Sequence, residues 1–283
     1  MKILTDSAAD LIPEEARELG IQIAPLYINF PNEQLRAGDI TPDAFYDRLR
    51  SIYPDVPTTA MPASGEFAEI YRQAGGEEQQ LSLHISSGLS GTLEAARLGA
   101  EQSGADVTLV DTMTLSGGER FQVLAAAQAA QQGLAIGAIM DRLDTIRAAT
   151  EVIYTLETLE YLQRGGRIGR VQALAGSLLK IKPVIKVEKE DGKYSTVGSG
   201  RTLKKALDMI VDYLGKAYDA GTPLWVSVLH GQFAEQADAL ASLLRERLTV
   251  AKLEVLRISP VLGVHTGPGI VGVTTVPIAL MEA

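Results

Sequence analysis

Short apolar runs alternate with amphipathic helical patterns through the first half of the chain, and this alternation limits the possible folds more than any other feature. Strand–helix repeats of this kind favour a parallel sheet whose connections run through helices. The first half therefore predicts an α/β, Rossmann-like domain. Its predicted strands are Ile3-Leu4, Ile21 to Phe30, Leu81 to Ile85 and Val107 to Val110, and its predicted helices begin near Asp10, Thr41, Ser64, Gly91, Ser116 and Ile136.

The second half predicts about six strands with fewer helices between them. Asp191-Gly192 separates two of these strands and is a strong signal for a type I′ hairpin turn, so part of the pairing must be antiparallel. We expect a second, α+β domain with a mixed or antiparallel sheet. Since 283 residues suffice for about two domains, we place them at 1–149 and 150–283. The six predicted strands are Val152 to Leu156, Pro183 to Glu188, Tyr194 to Gly198, Leu224 to Leu229, Leu253 to Ile258 and Gly269 to Val276.

Charge and residue usage exclude several classes of function. The formal net charge is -9, which argues against general affinity for nucleic acid. There is no cysteine, so disulfides, thiolate metal sites and cysteine nucleophiles are excluded. A carboxylate at Asp6 interrupts any apolar secretory signal, and no apolar stretch approaches the ~20 residues of a membrane span. We expect a cytoplasmic protein.

The strand predicted at Leu81 to Ile85 runs into a loop of small and hydroxyl residues and then into a helix. In this loop, Ser90, Gly91 and Thr92 offer hydroxyls and backbone N–H groups at a helix N-terminus, which suit an anion such as a carboxylate or a phosphate. An equally simple interpretation is that Ser90 or Thr92 caps its own helix. A serine hydrolase is disfavoured, because Thr92 stands where the nucleophile elbow requires its last glycine.

Two further segments carry polar side chains that could contact a ligand. Thr58 and Thr59 lie between prolines ahead of a helix, although this segment also fits an ordinary turn with Ser64 as N-cap. Of the three histidines, we expect His84 within a strand and His230 at the end of one. His265 lies in a Gly-rich segment, and we expect a loop there that presents its side chain to a ligand.

Positive charge is concentrated between Tyr161 and Lys205. This segment holds eleven Lys plus Arg against three Asp plus Glu, a charge of +8, so the rest of the chain carries -17. A solvated basic face is the simpler explanation. Arginines flanking Gly165-Gly166 could also bind phosphate or an acidic partner, because guanidinium pairs bidentately with such oxygens. Asp6, Asp10, Asp39 and Asp111 are not clustered like metal ligands, so we assign no metal.

The order of these segments resembles that of the DegV family over essentially the whole chain. The matching motifs are Thr5-Asp6-Ser7 with Asp10-Leu11, Pro57-Thr58-Thr59 with Pro62, Ile85-Ser86-Ser87 with Leu89-Ser90-Gly91-Thr92, Val110-Asp111-Thr112, Tyr161-Leu162-x-Arg164-Gly165-Gly166-Arg167-Ile168, Lys182-Pro183, and His265-Thr266-Gly267-Pro268-Gly269.

The resemblance implies a bacterial fatty-acid-binding protein that is not itself an enzyme. Family members with a known role carry the acyl group for a fatty acid kinase, whose separate ATP-dependent subunit makes the acyl phosphate. No cofactor is implied apart from a bound long-chain fatty acid. The N-terminal domain would hold the acyl chain and the C-terminal domain would close a crevice around its head group. The expected partners are the fatty acid and the kinase subunit, with no nucleic acid; transient membrane contact stays open.

The resemblance also assigns roles to individual residues. Those implied to bind the fatty acid carboxylate are Thr59, Ser90, Gly91, Thr92, His265 and Thr266, and those implied to serve phosphoryl transfer are Arg170 and Arg201. The family usually has Ser-Gln-Pro-Ser after the threonine, whereas this chain has Ala60-Met61-Pro62-Ala63, so two polar groups are lost beside the carboxylate and a thioether is gained. Two alternatives stay open: a lipid store or sensor without a kinase, and a hydrolase that uses Ser90 and His265.

Overall fold

Two large sheets divide most of the strands between them, and a small third sheet lies beside them. The computed structural model describes residues 1–75, 78–177 and 181–282, with residues 174–177 described by their backbone only. The strands are β1 (Lys2–Asp6), β2 (Gln22–Ala24), β3 (Tyr27–Phe30), β4 (Glu33–Arg36), β5 (Thr58–Ala60), β6 (Gln80–His84), β7 (Val107–Asp111), β8 (Glu151–Leu156), β9 (Lys182–Val187), β10 (Tyr194–Gly200), β11 (Leu224–His230), β12 (Val250–Arg257) and β13 (Ile270–Pro277).

The helices lie mainly between these strands. They are α1 (Pro13–Leu19), α2 (Pro42–Ser51), α3 (Ser64–Gly75), α4 (Thr92–Ser103), α5 (Ser116–Gln131), α6 (Ile136–Ala149), α7 (Glu160–Arg164), α8 (Leu203–Ala217), α9 (Ala234–Arg247), α10 (Pro260–Thr266) and α11 (Ala279–Glu282). Short 3-10 segments cover Ser7–Ala9, Ala37–Asp39 and Gly169–Ser177.

The predicted α/β class is confirmed by the two large sheets. The first is parallel throughout, with strand order β2-β1-β6-β7. Its strand β6 is buried along its whole length, as expected for a strand with helices on both faces. The second sheet has the order β10-β9-β8-β13-β11-β12 and is antiparallel except between β11 and β12, so it is mixed, with the six strands predicted. The boundary expected from the sequence at 149/150 lies between the end of α6 and the start of β8.

The single strand predicted from Ile21 to Phe30 is wrong. Pro25 divides it, because proline has no N–H to donate to a sheet. The first part, β2, pairs with β1 in the parallel sheet, and the second part, β3, pairs antiparallel with β4 and β5 in a separate three-stranded sheet. The alternative of an ordinary turn at Thr58-Thr59 does not hold either, since these residues form β5.

His265 does not lie in a loop, contrary to the sequence prediction. It occupies the last turn of α10, a helix of seven residues that starts with Pro260 in its first turn and stops at Gly267. Gly267 has φ +73°, a left-handed conformation that ends a helix at low cost for glycine. The glycines and prolines of this segment therefore bound a short helix that fixes the histidine.

The predicted hairpin between β9 and β10 is confirmed, but its turn is not type I′. The Glu188 N–H donates to the Lys193 carbonyl and the Gly192 N–H to the Glu188 carbonyl, which closes a four-residue loop. Only Gly192, at φ +63°, has the left-handed conformation that type I′ would require of Asp191 as well. This loop matters for the site because its tip packs on the segment that follows β6.

Candidate functional site

The candidate site forms where β5, the loop after β6, α10 and the loop after α7 meet. Thr59 Oγ1 and His265 Nε2 lie 2.8 Å apart and share a hydrogen bond between residues 206 positions apart in sequence. Gly165 packs directly on the other side of the imidazole, where any side chain on residue 165 would overlap Nδ1. Two segments proposed from sequence, Pro57-Thr58-Thr59 and His265-Thr266, are thus brought together.

His265 is held in its neutral form. Burial, together with the nearby cation of Arg167, lowers the pKa of the imidazole to about 4. A neutral imidazole can donate its Nε2–H to Thr59 Oγ1, which leaves the threonine hydroxyl proton free for an acceptor outside this pair. The arrangement therefore offers one oriented hydroxyl donor beside a side chain that does not titrate near neutral pH.

A buried chain of hydrogen bonds fixes the start of the loop that follows β6. Tyr71 OH lies 3.1 Å from Ser82 Oγ, Ser82 Oγ lies 2.8 Å from His84 Nε2, and His84 Nδ1 lies 3.0 Å from Asp6 Oδ2. The same Asp6 oxygen accepts the Ile85 N–H. Although the chain has the Ser-His-Asp order of a hydrolase triad, all three side chains are completely buried, so we assign it a structural role.

The loop ends at the N-terminus of α4, where the predicted hydroxyl residues lie. Ser90 Oγ lies 2.8 Å from Thr92 Oγ1 and accepts the Thr92 N–H at 3.3 Å. The second of these bonds agrees with the alternative in which Ser90 caps its own helix. Gly91 occupies the N-cap position. Free N–H groups at a helix N-terminus attract anions, so this end of α4 suits a carboxylate. Ser90 is bonded to Thr92 and His265 to Thr59, an arrangement that does not form the Ser90–His265 pair of the hydrolase alternative.

Met61 directly follows β5, the strand that carries Thr59, and reaches the N-terminus of α4. A Cβ atom placed on Gly91 would come within 3.1 Å of the Met61 sulfur, so the thioether lies against the N-terminus of α4. The Met61 side chain is also among the exposed large hydrophobic residues. The residue that replaces a polar position of the family pattern therefore covers the loop from outside rather than donating to it.

An outer pocket opens beside Ser90. It is lined by residues 87–91, by Gly166, Arg167, Gly169 and Arg170 from the loop after α7, and by Lys193 and Tyr194. Arg167 donates to the Gly165 carbonyl at 2.8 Å, an uncharged acceptor that does not offset its positive charge. With Arg167, Arg170 and Lys193 on its wall, the outer pocket suits an anionic group.

The two arginines assigned to phosphoryl transfer lie in different places. Arg170 borders the outer pocket and forms an ion pair with Asp191 of the β9–β10 hairpin. Arg201 directly follows β10, at the opposite end of that strand from Tyr194, roughly 20 Å away along a strand of this length. The structure does not bring Arg201 to the outer pocket. Lys180 of the same basic segment lies outside the described residues.

A narrow inner cavity of about 30 Å³ lies between the N-terminal end of α5 and one face of the six-stranded sheet. Most of its wall is aliphatic, with Leu115, Leu229, Ile258 and Leu262 among the lining side chains. Of its lining residues, only Leu115 and Ser116 come from the segment 1–149 that was expected to hold an acyl chain. The apolar space is therefore lined mainly by the second half of the chain.

Thr266 differs from the other residues assigned to the carboxylate. Its hydroxyl donates to the Leu262 carbonyl one turn earlier in α10, at 3.1 Å, and the residue lines the inner cavity. Because this hydroxyl is already bonded to the helix backbone, Thr266 offers the cavity its methyl group. Helix α10 thus presents His265 to Thr59 and Thr266 to the apolar space.

Sequence reasoning missed two side chains of this region. Arg167, by contrast, is one of the arginines flanking Gly165-Gly166 that the sequence offered for an anion, and it lines the outer pocket. Tyr194 lines the outer pocket, Tyr154 lines the inner cavity, and their rings meet edge to face with centroids 5.9 Å apart. Neither tyrosine carries a sequence signal, because a tyrosine on a predicted strand is an ordinary core residue.

Metal binding and membrane insertion each require a recognisable grouping of residues. Among residues 1–75, 78–177 and 181–282, no three or more histidine or acidic side chains are grouped as they would be around a metal ion. Within the same described residues, no helix combines the length and apolar character needed to span a bilayer.

Comparisons with known proteins cover nearly the whole chain. A family model for uncharacterised proteins of the DegV family matches residues 1–277. A DegV domain-containing protein of Deinococcus radiodurans is 35% identical over 275 residues, which is 97% of this chain and 95% of that protein.

Solved structures extend the similarity to the fold. A fatty-acid-binding DegV family protein of Thermus thermophilus is similar at TM-score 0.90 and 33% identity, covering 98% of this chain and 99% of that one. A stearic acid-binding protein of Eubacterium ventriosum is similar at TM-score 0.87 and 27% identity, covering 99% of both chains.

Proposed function

This chain belongs to the DegV family, and from that premise we propose that it binds a long-chain fatty acid and presents the carboxyl group to a separate ATP-dependent kinase subunit. The fatty acid is the ligand in the similar proteins of Thermus thermophilus and Eubacterium ventriosum. The chain itself serves as a carrier, and the phosphoryl chemistry belongs to its partner.

The carboxylate is held by hydroxyl donors at the N-terminal end of α4. Thr59, oriented by His265, supplies one hydroxyl, and Ser90 supplies another, with the N–H groups near Gly91 and Thr92 completing the set. Hydrogen bonds to a charged acceptor are stronger than those between neutral groups, so this short list can orient the head group. Thr266 is left out of the set because its hydroxyl is bonded to Leu262.

The acyl tail enters the inner cavity, whose free volume of about 30 Å³ must widen as the surrounding aliphatic side chains move apart to admit it. Burial of a methylene group contributes ~0.8 kcal/mol, so a chain of roughly 15 carbons contributes on the order of 12 kcal/mol before ordering costs. The tail therefore dominates affinity, while the head group fixes orientation. This assignment moves the acyl chain from the N-terminal domain of the sequence expectation to the face of the six-stranded sheet.

The observation that carries the proposal is the Thr59–His265 hydrogen bond beside this apolar cavity. One turn of α10 connects the two, since Leu262 and Thr266 line the cavity and His265 bonds Thr59. A polar end joined to an aliphatic interior matches the two parts of a fatty acid. The basic wall of the outer pocket then faces the place where a phosphoryl group would arrive.

The first experiment asks whether the purified protein carries a fatty acid. The protein is denatured and extracted with organic solvent, and the extract is examined by mass spectrometry. We expect one or more fatty acids of long chain in amounts comparable to the protein. Absence of lipid, together with no uptake of added hexadecanoic acid by the delipidated protein, would contradict the proposal.

Variants of the head-group site give the second test. We expect Thr59→Val, and the double variant Ser90→Ala/His265→Ala, to weaken binding of a fluorescent fatty acid by about tenfold, because charged hydrogen bonds of roughly 1.5 kcal/mol are lost. Thr58→Val is the matched control, since the neighbouring Thr58 is exposed and its hydroxyl accepts from Asn29 instead. Equal affinity of the folded Thr59 and Thr58 variants would exclude this head-group site.

The partner role is tested through the two arginines. Arg170→Ala and Arg201→Ala should leave fatty acid affinity unchanged and reduce acyl phosphate formation when an ATP-dependent kinase subunit is supplied. Arg97→Ala is the control, because Arg97 is exposed on α4 and pairs only with Glu94 and Glu101 there. If binding and acyl phosphate formation fall together, the arginines support the pocket rather than the partner.

A further inference from the structure

Met61 differs from the other methionines of the chain in its exposure to solvent. All six methionines lie within the described residues, and Met61 is the one whose side chain is exposed, with 45% of the residue surface accessible. Met281 is buried and the remaining four are partly buried. Because an oxidant must reach a sulfur before it can react, Met61 is the thioether that a peroxide dissolved in water meets first.

The Met61 thioether lies against the candidate head-group site. A Cβ atom on Gly91 would come within 3.1 Å of the sulfur and 3.2 Å of the terminal methyl carbon, so both atoms contact this glycine. Gly91 is the N-cap residue of α4 and stands between the two bonded hydroxyls of Ser90 and Thr92. A change in the chemistry of this sulfur therefore takes place beside the donors proposed for the carboxylate.

Oxidation by a peroxide adds a single oxygen atom to this side chain. A lone pair of the sulfur attacks one oxygen of hydrogen peroxide, the O–O bond breaks, and an S–O bond forms. The second oxygen leaves as hydroxide, which takes the proton from the newly attached oxygen and becomes water. The sulfur is oxidised by one electron pair and the peroxide is reduced by the same pair. The product is a polar sulfoxide, whose oxygen accepts hydrogen bonds and has no proton to donate.

A sulfoxide at Met61 gives the N-terminus of α4 an acceptor from within the chain. Helix N-termini favour negatively charged groups, and the sulfoxide oxygen carries partial negative charge. This oxygen would compete with a carboxylate for the N–H and hydroxyl groups near Gly91. The glutamine that the family usually has at this position is also polar, but its amide can donate to a carboxylate. The sulfoxide can only oppose it.

We propose that Met61 is a site of reversible oxidation by peroxides, and that its sulfoxide weakens fatty acid binding by competing with the carboxylate at the N-terminus of α4. The inference rests on the proposed fatty acid function and adds a regulation of the same site. Reduction of the sulfoxide by a methionine sulfoxide reductase restores the thioether and, with it, the affinity.

The test compares the delipidated full chain before and after treatment with hydrogen peroxide. Mass spectrometry of peptides follows the gain of one oxygen atom at each methionine, and titration calorimetry with hexadecanoic acid measures affinity. We expect Met61 to be oxidised before the other methionines and the affinity to fall by about tenfold, which corresponds to the loss of one hydrogen bond to a charged acceptor. Treatment with a methionine sulfoxide reductase should reverse both changes.

Three variants locate the effect, each measured before and after peroxide. Met61→Leu keeps an apolar side chain of similar size without a sulfur, so peroxide should leave its affinity unchanged. Met61→Gln introduces the side chain that is usual in the family, and its affinity should be equally insensitive to peroxide. Met140→Leu removes a partly buried methionine on α6, which packs against the core next to the parallel sheet, and should stay as sensitive as wild type.

Each contrary outcome has a distinct meaning. Earlier oxidation of another methionine, an unchanged affinity once Met61 carries the oxygen, or an equal effect of peroxide on Met61→Leu would overturn the proposal, although fatty acid binding would stand. Failure of the untreated protein to bind hexadecanoic acid would instead remove the proposed function, and this inference with it.

Discussion

Asp10 is buried and His265 is partly buried, and the pKa values of their side chains shift in opposite directions. Asp10 lies in a left-handed conformation, φ +49°, and its carboxylate accepts from Ser116 Oγ at 2.5 Å and from the Ser259 N–H at 2.8 Å. Burial raises the pKa of Asp10 to about 6 even though these bonds oppose the shift, while burial lowers the pKa of His265 to about 4. Asp10 holds the N-terminal end of α10, and His265 lies in its last turn.

The shift of Asp10 predicts a pH-dependent stability that one substitution removes. The unfolded carboxyl ionises near pH 4 and the folded one near pH 6, so the Asp10 contribution is present at low pH and is lost as pH rises between these values. We expect the free energy of unfolding of wild type, relative to Asp10→Asn, to fall by about 3 kcal/mol between pH 3.5 and pH 7. Urea unfolding at the two pH values measures this difference, and a constant difference would contradict it.

His265→Gln tests a pH dependence of stability whose sign is opposite to that of Asp10→Asn. The folded imidazole stays neutral down to about pH 4, whereas the unfolded one takes up a proton near pH 6.5. The His265 contribution is therefore present above pH 6.5 and is lost as pH falls towards 4. A wild-type advantage over His265→Gln that grows on acidification would show that the imidazole is not desolvated in this way.

Individual site residues were predictable only where a motif named them. Thr59, Ser90 and His265 belong to segments whose hydroxyl or imidazole groups stand out beside glycine and proline. Tyr154 and Tyr194 could not be found this way, because a tyrosine on a predicted strand has the pattern of an ordinary core residue.

The β9–β10 hairpin shows how one element supports the site from a distance. Its tip residue Gly192 packs so closely on Ser86 that a Cβ atom would overlap the serine hydroxyl. Gly88 packs in turn on the backbone of Asp191. The hairpin thus holds the loop that carries Ser90, and Arg170 pairs with the same tip through Asp191.

Gly192→Ala should damage both stability and binding. The left-handed backbone costs a non-glycine residue roughly 1–2 kcal/mol, and the overlap with Ser86 adds to this, so we expect a loss of about 2–4 kcal/mol in the free energy of unfolding. Fatty acid affinity should fall as well, because the Ser90 loop must move.

Gly221→Ala separates backbone strain from the overlap. Gly221 has φ +84° but open space around a Cβ position, so this variant should lose only the backbone term and keep its affinity. Equal losses of stability in the two variants, measured by urea unfolding, would show that the close contact with Ser86 does not affect stability.

Element by element, the sequence pattern predicted what local chemistry controls. The hairpin followed from Asp191-Gly192, yet the turn type did not, because a four-residue loop also places a single glycine in the left-handed region. The segment of β5 also fitted a turn, since its three residues become a strand only by pairing with β3, a long-range event. The Gly-rich segment around His265 was mistaken for a loop because packing by its neighbours stabilises a short helix there.

At the scale of the whole molecule, Arg120 of α5 connects the two halves. Its guanidinium is completely buried and pairs with Glu15 of α1 and Glu254 of β12, each at 2.5 Å. Glu254 also accepts from Trp225 Nε1 at 2.9 Å, so the network reaches the second sheet through two strands. The parallel-sheet half and the mixed-sheet half thus share one cation.

Removal of Arg120 should lower the free energy of unfolding much more than removal of an exposed arginine. We expect Arg120→Met to lower the free energy of unfolding by about 3–5 kcal/mol, because two partly buried carboxylates lose their partner. Arg97→Met, which removes an exposed arginine paired with Glu94 and Glu101, should cost less than about 1 kcal/mol. Similar losses in the two variants, followed by urea unfolding, would contradict a linking role for Arg120.

The overall architecture followed from periodicity, whereas the ligand space did not. Alternating runs and helices predicted a parallel sheet, and the clustered strands of the second half predicted a mixed one, because both patterns repeat over many residues. The inner cavity arises where α5 faces β8 and β13, and its shape depends on the packing of side chains from distant segments. No periodicity encodes such a gap, so the sequence pattern alone does not locate an apolar ligand space.

The Thr59–His265 hydrogen bond also bears on when the site appears during synthesis. Its two residues are 206 positions apart, and a nascent chain folds from its N-terminal end as it leaves the ribosome. The parallel sheet can therefore form long before α10 exists, but the head-group site cannot. Fatty acid capture would accordingly mark a chain that has been synthesised past His265, and ribosome-bound fragments that stop before residue 260 should leave the lipid untouched.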